Sequence, residues 1–366
     1  MSSAGQRTEA SGPAGMTGTT GTPAAPLRVT RSRRSTLWVG VVAIAVVAVL
    51  SYLPYLVHSG TTNLLVNFFI LLTMASMWNL LAGYAGLVSV GQQAFVGLGA
   101  YFVLILASHG TNPFVAIPVA TIICAVAGVP IWWLVSRLRS GYFAITMWVI
   151  ASVCELIISQ FSSLGGGTGT ALPGLPVNPT LLIAYTYWAT LAVTVAVLAV
   201  IYVILRSPLG LVLTAVRDDE TGARSVGARV SRAQRFVFLV AAAGCGAAGT
   251  LYIISQQFVV PTAAFSVQWS AEMIFITIIG GIGTIEGPIL GTIVFFVLQQ
   301  TLSQYGTWYF IVLGLVAMAI AIWAPRGLWG LISDRLGVRL FPVGYWLWPA
   351  AEGVRPRRGL TLPRRG

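Results

Sequence analysis

The side chains best placed to do chemistry in this chain are amides and acids stranded in apolar sequence: Gln92, Gln93, Glu155 and Glu272. Such a group inside a membrane span is costly, and by default it marks the path of a solute or an ion. Gln92 and Gln93 stand in the run Asn79 to Tyr101 (NLLAGYAGLVSVGQQAFVGLGAY), which holds five glycines, and no Asp, Glu, Lys or Arg occurs between Ser35 and Ser136. Glycine frees backbone groups that hydrocarbon tolerates only where protein or a water-filled cavity satisfies them. Gly83, Gly86, Gly91, Gly97 and Gly99 therefore predict a broken or re-entrant helix lining a cavity, with close helix packing as the competing explanation. A second stretch, Gly280 to Gly291 (GGIGTIEGPILG), repeats the pattern roughly 200 residues downstream with Gly280, Gly281, Gly283, Gly287 and Pro288. Paired glycine-interrupted segments in two halves of a chain point to a transporter's binding region.

Other chemistries are excluded by what is missing. All 21 basic residues are arginine, so neither the lysine of a P-loop nor that of a Schiff-base enzyme can be supplied. Cys124, Cys154 and Cys245 lie in apolar spans, and neither His58 nor His109 has a partner at ligand spacing. No disulfide framework, metal site or cofactor of the chain's own is expected. Gly281, Gly283 and Gly287 faintly match a dinucleotide fingerprint, but no strand, turn and helix surround them and no acid follows. The formal charge of +12 is spread over short loops and tails rather than one face. Topology explains it, and no nucleic-acid partner is expected.

At 57% hydrophobic and 8% charged, against about 25% charged in soluble domains, the chain reads as an all-α polytopic membrane protein. Ten spans are expected: Leu37 to Val57, Leu64 to Ala82, Val88 to Ala107, Phe114 to Val135, Tyr142 to Gln160, Leu181 to Leu205, Phe236 to Gln257, Trp269 to Gly283, Ile289 to Ser303 and Tyr309 to Ala324. With the N-terminus in the cytoplasm, Arg137, Arg139, the arginines from Arg206 to Arg235, and Arg326 with the C-terminal tail all fall inside, as the positive-inside rule requires. The expected organisation is a disordered cytoplasmic tail at 1–36, a transmembrane domain at 37–330 and a basic cytoplasmic tail at 331–366. Trp132, Trp133, Tyr185, Tyr187, Trp188, Trp308 and Tyr309 lie near predicted span ends, where amphipathic rings prefer the interface.

The loop from Arg206 to Arg235 is the one sizeable cytoplasmic connection. Its centre predicts a short helix with Asp218, Asp219 and Glu220 in the first turn, a Glu220 to Arg224 pair at i,i+4 spacing, and Gly227 as the stop. Mixed charge around the small residues Ala223 and Gly227 predicts a docking surface, with a loop skimming lipid phosphates as the alternative.

Four stretches in order, Asn79 to Tyr101, Tyr142 to Glu155 (YFAITMWVIASVCE), Arg206 to Glu220 (RSPLGLVLTAVRDDE) and Ile278 to Gly291, resemble the branched-chain amino-acid permeases of Liv-type ABC importers, and the Tyr142 stretch and the long central loop resemble the M-type subunit. The resemblance implies a multi-pass protein of a prokaryotic plasma membrane that works by alternating access. It implies a second, H-type permease, two cytoplasmic ATPases that bind ATP and Mg, an external solute-binding protein, and a coupling helix at Arg217 to Gly227. Gln92 with Gln93, Gly165 with Gly166 and Gly167, and Glu286 depart from the family's usual residues. These departures keep urea and short amides open as substrates. An ion-coupled secondary transporter and a membrane enzyme are the competing classes; few intramembrane acids serve the first, and the second needs a nucleophile and base, or a metal.

Overall fold

A computed structural model describes residues 27–30, 33–138, 141–173, 178–302, 304, 306, 308–324, 326–336 and 346–349. Most of the two tails, and Arg139, lie outside the described residues. The chain divides into two compact units, Ser35–Val343 and a smaller one of Met1–Arg34 with Gly344–Gly366. In the smaller unit Leu27–Thr30 pairs antiparallel with Trp346–Pro349, Leu27 opposite Pro349 and Thr30 opposite Trp346.

The larger unit is built from helices. In order they are α1 (Arg33–Leu56), α2 (Ser59–Asn79), α3 (Gln93–Ser108), α4 (Pro113–Val135), α5 (Gly141–Ser159), α6 (Pro179–Arg206), α7 (Pro208–Asp218), α8 (Glu220–Ser225), α9 (Val230–Gln256), α10 (Pro261–Ala264), α11 (Val267–Gly280), α12 (Glu286–Leu302), α13 (Trp308–Trp323) and α14 (Gly327–Leu336). Local sequence sets several starts. Pro113, Pro179, Pro208 and Pro261 each occupy a first helical position, where a missing N–H costs nothing. The side chains of Asn112, Ser207, Asp219 and Ser266 cap the N–H groups of Phe114, Leu209, Thr221 and Gln268.

Each of the ten segments read as spans contains a helix, but among the described residues six helical stretches are long and apolar enough to cross a bilayer: Ser59–Tyr84, Pro113–Val135, Gly141–Ser159, Leu181–Arg206, Val230–Gln256 and Pro261–Gly280. Ile311–Trp323 and Gly327–Ser333, bent by 42°, make a seventh if counted together. The sixteen residues of α3 rise about 24 Å, short of a hydrocarbon core of about 30 Å.

Helix α9 is the hub, and its run of Ala and Gly from Ala241 to Gly249 explains why. A Cβ on Gly99 of α3 would overlap the Gly246 carbonyl, one on Gly249 the Val96 carbonyl, and one on Gly246 the side chain of Cys124 in α4. Small residues thus bring the backbones of α3 and α9 into contact and seat the Cys124 side chain of α4 on α9, the means by which helices associate where lipid removes the hydrophobic drive. Helices α2 and α6 are joined by Thr73 and Thr194, whose hydroxyls lie 2.9 Å apart. Helix α1 is tied to α6 by the Tyr187 hydroxyl and the Trp188 indole, which donate to the carbonyls of Leu50 at 2.7 Å and Ser51 at 3.2 Å. Tyr187 and Trp132 are therefore buried packing residues rather than interfacial ones, whereas Trp133 and Trp308 are exposed.

Candidate functional site

Both glycine stretches interrupt their helices. Helix α2 widens into a π turn at Leu80–Tyr84, the chain runs irregularly from Ala85, and α3 begins at Gln93. Gly86 holds φ +69° in this break, a conformation that costs only glycine nothing. In the second break, between α11 and α12, Gly281 and Gly283 hold φ +129° and +76°. Gly97 and Gly99 do not belong to the break. Both sit within α3, Gly97 under the Phe265 ring and Gly99 on the Gly246 carbonyl, so close packing accounts for them. Gly91 also packs closely, its missing Cβ replaced by the Met147 carbonyl of α5.

The two breaks meet. Asn79, 2% exposed, donates from Nδ2 to the Thr284 carbonyl at 2.7 Å and accepts from the Gly283 N–H at 2.8 Å. One amide therefore closes both hydrogen-bonding valences of an irregular backbone turn some 200 residues away, and either group left unpaired would cost about 1–3 kcal/mol. A Cβ on Gly83 would overlap Gly283, so the strands of the clamp have no room for a side chain. The first break is held in turn by the Trp78 indole, which donates to the Ser89 carbonyl at 2.7 Å, and by Gln234 of α9, which donates to the Ala85 carbonyl at 3.3 Å.

The loop from Arg206 to Arg235 touches this junction. It forms two helices rather than one: Asp218 ends α7 and pairs with Arg217 at 3.1 Å, while Asp219 caps α8. That corrects the placement of Asp218 in a first turn. The Glu220 to Arg224 pair closes at 2.7 Å, and Gly227 stops the chain with φ +82°. Ala223 is buried against Val216 and Val230, which seat α8 on the loop's own core. A guanidinium nitrogen of Arg217 would stand 3.0 Å from a Cβ on Gly283, so α7 rests directly on the turn that Asn79 clamps.

Of the four candidate path residues, Gln92 and Gln93 open α3, and Gln93 Oε1 accepts from Ser270 of α11. Gln92 is 0% exposed, and neither Nε2 nor Oε1 has a partner among the described residues. Glu272, also on α11, is 2% exposed and accepts from Gln268 Nε2 at 2.8 Å, so it is enclosed rather than hydrated at a span end. Glu155 stands apart, half-buried on α5, a spanning helix most of whose residues are not buried within the protein. No group of three or more His, Cys, Asp or Glu able to hold a metal occurs among the described residues. Asn79 and Ser270 were not singled out from sequence. A lone amide ending a long apolar run was the available signal for the first, and the second had none.

Comparison with known proteins gives a consistent picture. A family described as the permease component of branched-chain amino acid transport systems matches residues 60–322. The chain is 28% identical over 312 residues to the high-affinity branched-chain amino acid transport system permease protein LivM of Escherichia coli (strain K12), covering 78% of this chain and 73% of that one. The protein of the same name from Salmonella typhimurium is 26% identical over the same shares, and a probable branched-chain amino acid transport permease protein LivM of Methanocaldococcus jannaschii is 22% identical over 46% of this chain and 50% of its own. No solved structure matches significantly.

Proposed function

The chain belongs to the branched-chain amino acid permease family, and from that premise we propose that it is the M-type permease of an ATP-driven importer of branched-chain amino acids in a prokaryotic plasma membrane. The relatives carry branched-chain amino-acid names, which sets aside urea and short amides. Ten crossings with both termini in the cytoplasm keep every basic loop inside, and this is the topology we favour. The partners are a related H-type permease, two cytoplasmic ATPases holding ATP and Mg, and an external binding protein.

The observation that carries the mechanism is the contact of Arg217 with Gly283. The loop that would meet an ATPase lies against the turn that joins both broken helices through Asn79. Closure of the ATPases around ATP moves α7 and α8, and the movement reaches both breaks at once. The work comes from the differing affinity of ATP for the outward-open and inward-open states. Gln92, Gln93 and Glu272 line the solute path, and Glu155 turns the exposed face of α5 toward the second permease, since a carboxylate at that depth needs protein or water beside it. Co-reconstitution tests the proposal: liposomes holding both permeases and both ATPases, given the binding protein, should accumulate leucine only with ATP inside the compartment that holds the ATPases. Equal uptake by this chain alone would refute it.

A further inference from the structure

The first turn of α3 is a helix N-terminus enclosed by spanning helices. Ser270 of α11 holds Gln93, the Trp78 indole of α2 holds Ser89 just upstream, and the Met147 carbonyl of α5 lies on Gly91. The N–H groups of Ala94 and Phe95 turn back onto the carbonyls of Gly91 and Gln92 at 3.1 and 3.0 Å. Those of Gln92 and Gln93 make no hydrogen bond among the described residues. The Gln92 side chain adds two more unmet groups, Nε2 and Oε1, at zero exposure. Four side-chain polar atoms are buried without a partner among the described residues, and two of them belong to this one amide. A fully enclosed donor set at the positive end of a sixteen-residue helix is what attracts an anion, and half-helix N-termini within a membrane receive substrate carboxylates for the same reason. No Asp, Glu, Lys or Arg on α2, α3 or α4 neutralises it, because none occurs between Ser35 and Ser136.

We infer that the N-terminus of α3 binds the α-carboxylate of the transported amino acid. Gln92 Nε2 and the N–H groups of Gln92 and Gln93 donate to its oxygens, and Gln92 Oε1 accepts from the neighbouring ammonium. Gln93 acts through Ser270 as a positioning residue. The site is closed here, and α5 is its door: the Gly91 to Met147 contact must open for the solute to enter or leave. This inference rests on the amino-acid reading given above and adds to it which atoms hold the backbone end of the substrate.

The test uses the assembled transporter in nanodiscs without its binding protein, with radiolabelled leucine as the probe and leucinamide, which lacks the carboxylate, as competitor. Leucine should bind, leucinamide should compete at least about tenfold more weakly, and Gln92→Leu should weaken leucine binding by about tenfold or more. Gln92→Glu, which sets a negative charge in the anion site, should weaken it further. A purely structural glutamine predicts a lower melting temperature for Gln92→Leu; a ligand-directed one, unsatisfied in the closed state, predicts an unchanged or higher value. Equal competition by leucinamide, or parental leucine binding by Gln92→Leu, overturns the inference. ATP-driven leucine uptake by the parent assembly is measured alongside, so that failure of the substrate assignment is distinguished from failure of the site.

Discussion

Asn79→Ala should loosen the junction of the two broken helices, and the size of the effect follows from what it leaves behind. Two hydrogen bonds disappear, and the Gly283 N–H and Thr284 carbonyl lose their partners. Hydrogen bonds between membrane helices average about 0.6 kcal/mol in double-mutant cycles, which puts the loss at no less than about 1 kcal/mol. Two orphaned buried groups at about 2 kcal/mol each set an upper bound near 4 kcal/mol. The midpoint of about 2.5 kcal/mol corresponds to a fall of roughly 3 °C in melting temperature, since a chain of this size unfolds with an entropy of about 0.8 kcal/mol/K. Asn79→Asp is the sharper variant. One oxygen still accepts from Gly283, but the other now faces the Thr284 carbonyl, acceptor against acceptor, so the fall should exceed that of alanine. Thermal unfolding of the assembled transporter in nanodiscs gives the global number, and hydrogen exchange at the Gly283 amide gives the local one. Melting within about 1 °C of the parent, a span set by the smallest energy above, together with unchanged exchange at Gly283, would refute the clamp.

Replacing Asp219 and Glu220 with Arg removes the α8 cap and reverses the Glu220 to Arg224 attraction; uptake should fall by an order of magnitude while membrane insertion and ATP hydrolysis persist, as read by vesicle uptake and phosphate release, and normal uptake would remove these residues from the docking surface. Gly99→Leu forces a side chain into the Gly246 backbone and should abolish stable assembly, whereas Gly60→Ala, with open space around it, should cost less than about 0.5 kcal/mol by thermal unfolding. A double-mutant cycle of Thr73→Val and Thr194→Val should return a coupling of about 0.6 kcal/mol. Single cysteines placed at Ser207 and Ser225 should react with an impermeant maleimide only from the cytoplasmic face; labelling from outside would overturn the topology.

Much of the architecture was readable because lipid makes simple demands. Uncharged runs from Leu64 to Ala82 and from Phe114 to Val135 had to be spans. The Glu220 to Arg224 pair and the stop at Gly227 were legible from spacing. Composition could not separate a glycine that bends the chain from one that admits a neighbour, so Gly97 and Gly99 were grouped with Gly86 although a ring and a carbonyl fill their places. Long-range pairing left no local trace either. Nothing around Asn79 names Thr284, and nothing around Gln93 names Ser270. Glu272 was singled out as an acid inside a span, but nothing in its sequence neighbourhood showed that it would be enclosed and bonded to Gln268 one turn back.

The seam where α3, α4 and α9 touch through Gly99, Gly246, Gly249 and Cys124 has a mechanical corollary. The α3 and α9 backbones, in van der Waals contact, cannot slide past one another without collision, so these two helices, with Cys124 of α4 seated on Gly246, travel as a block. Solute passage is then left to pieces that pivot around that block, α5 among them, which meets the first break at Gly91 through its Met147 carbonyl. A crosslink within the block should be harmless to the transport cycle, while one that pins α5 to it should arrest the machine.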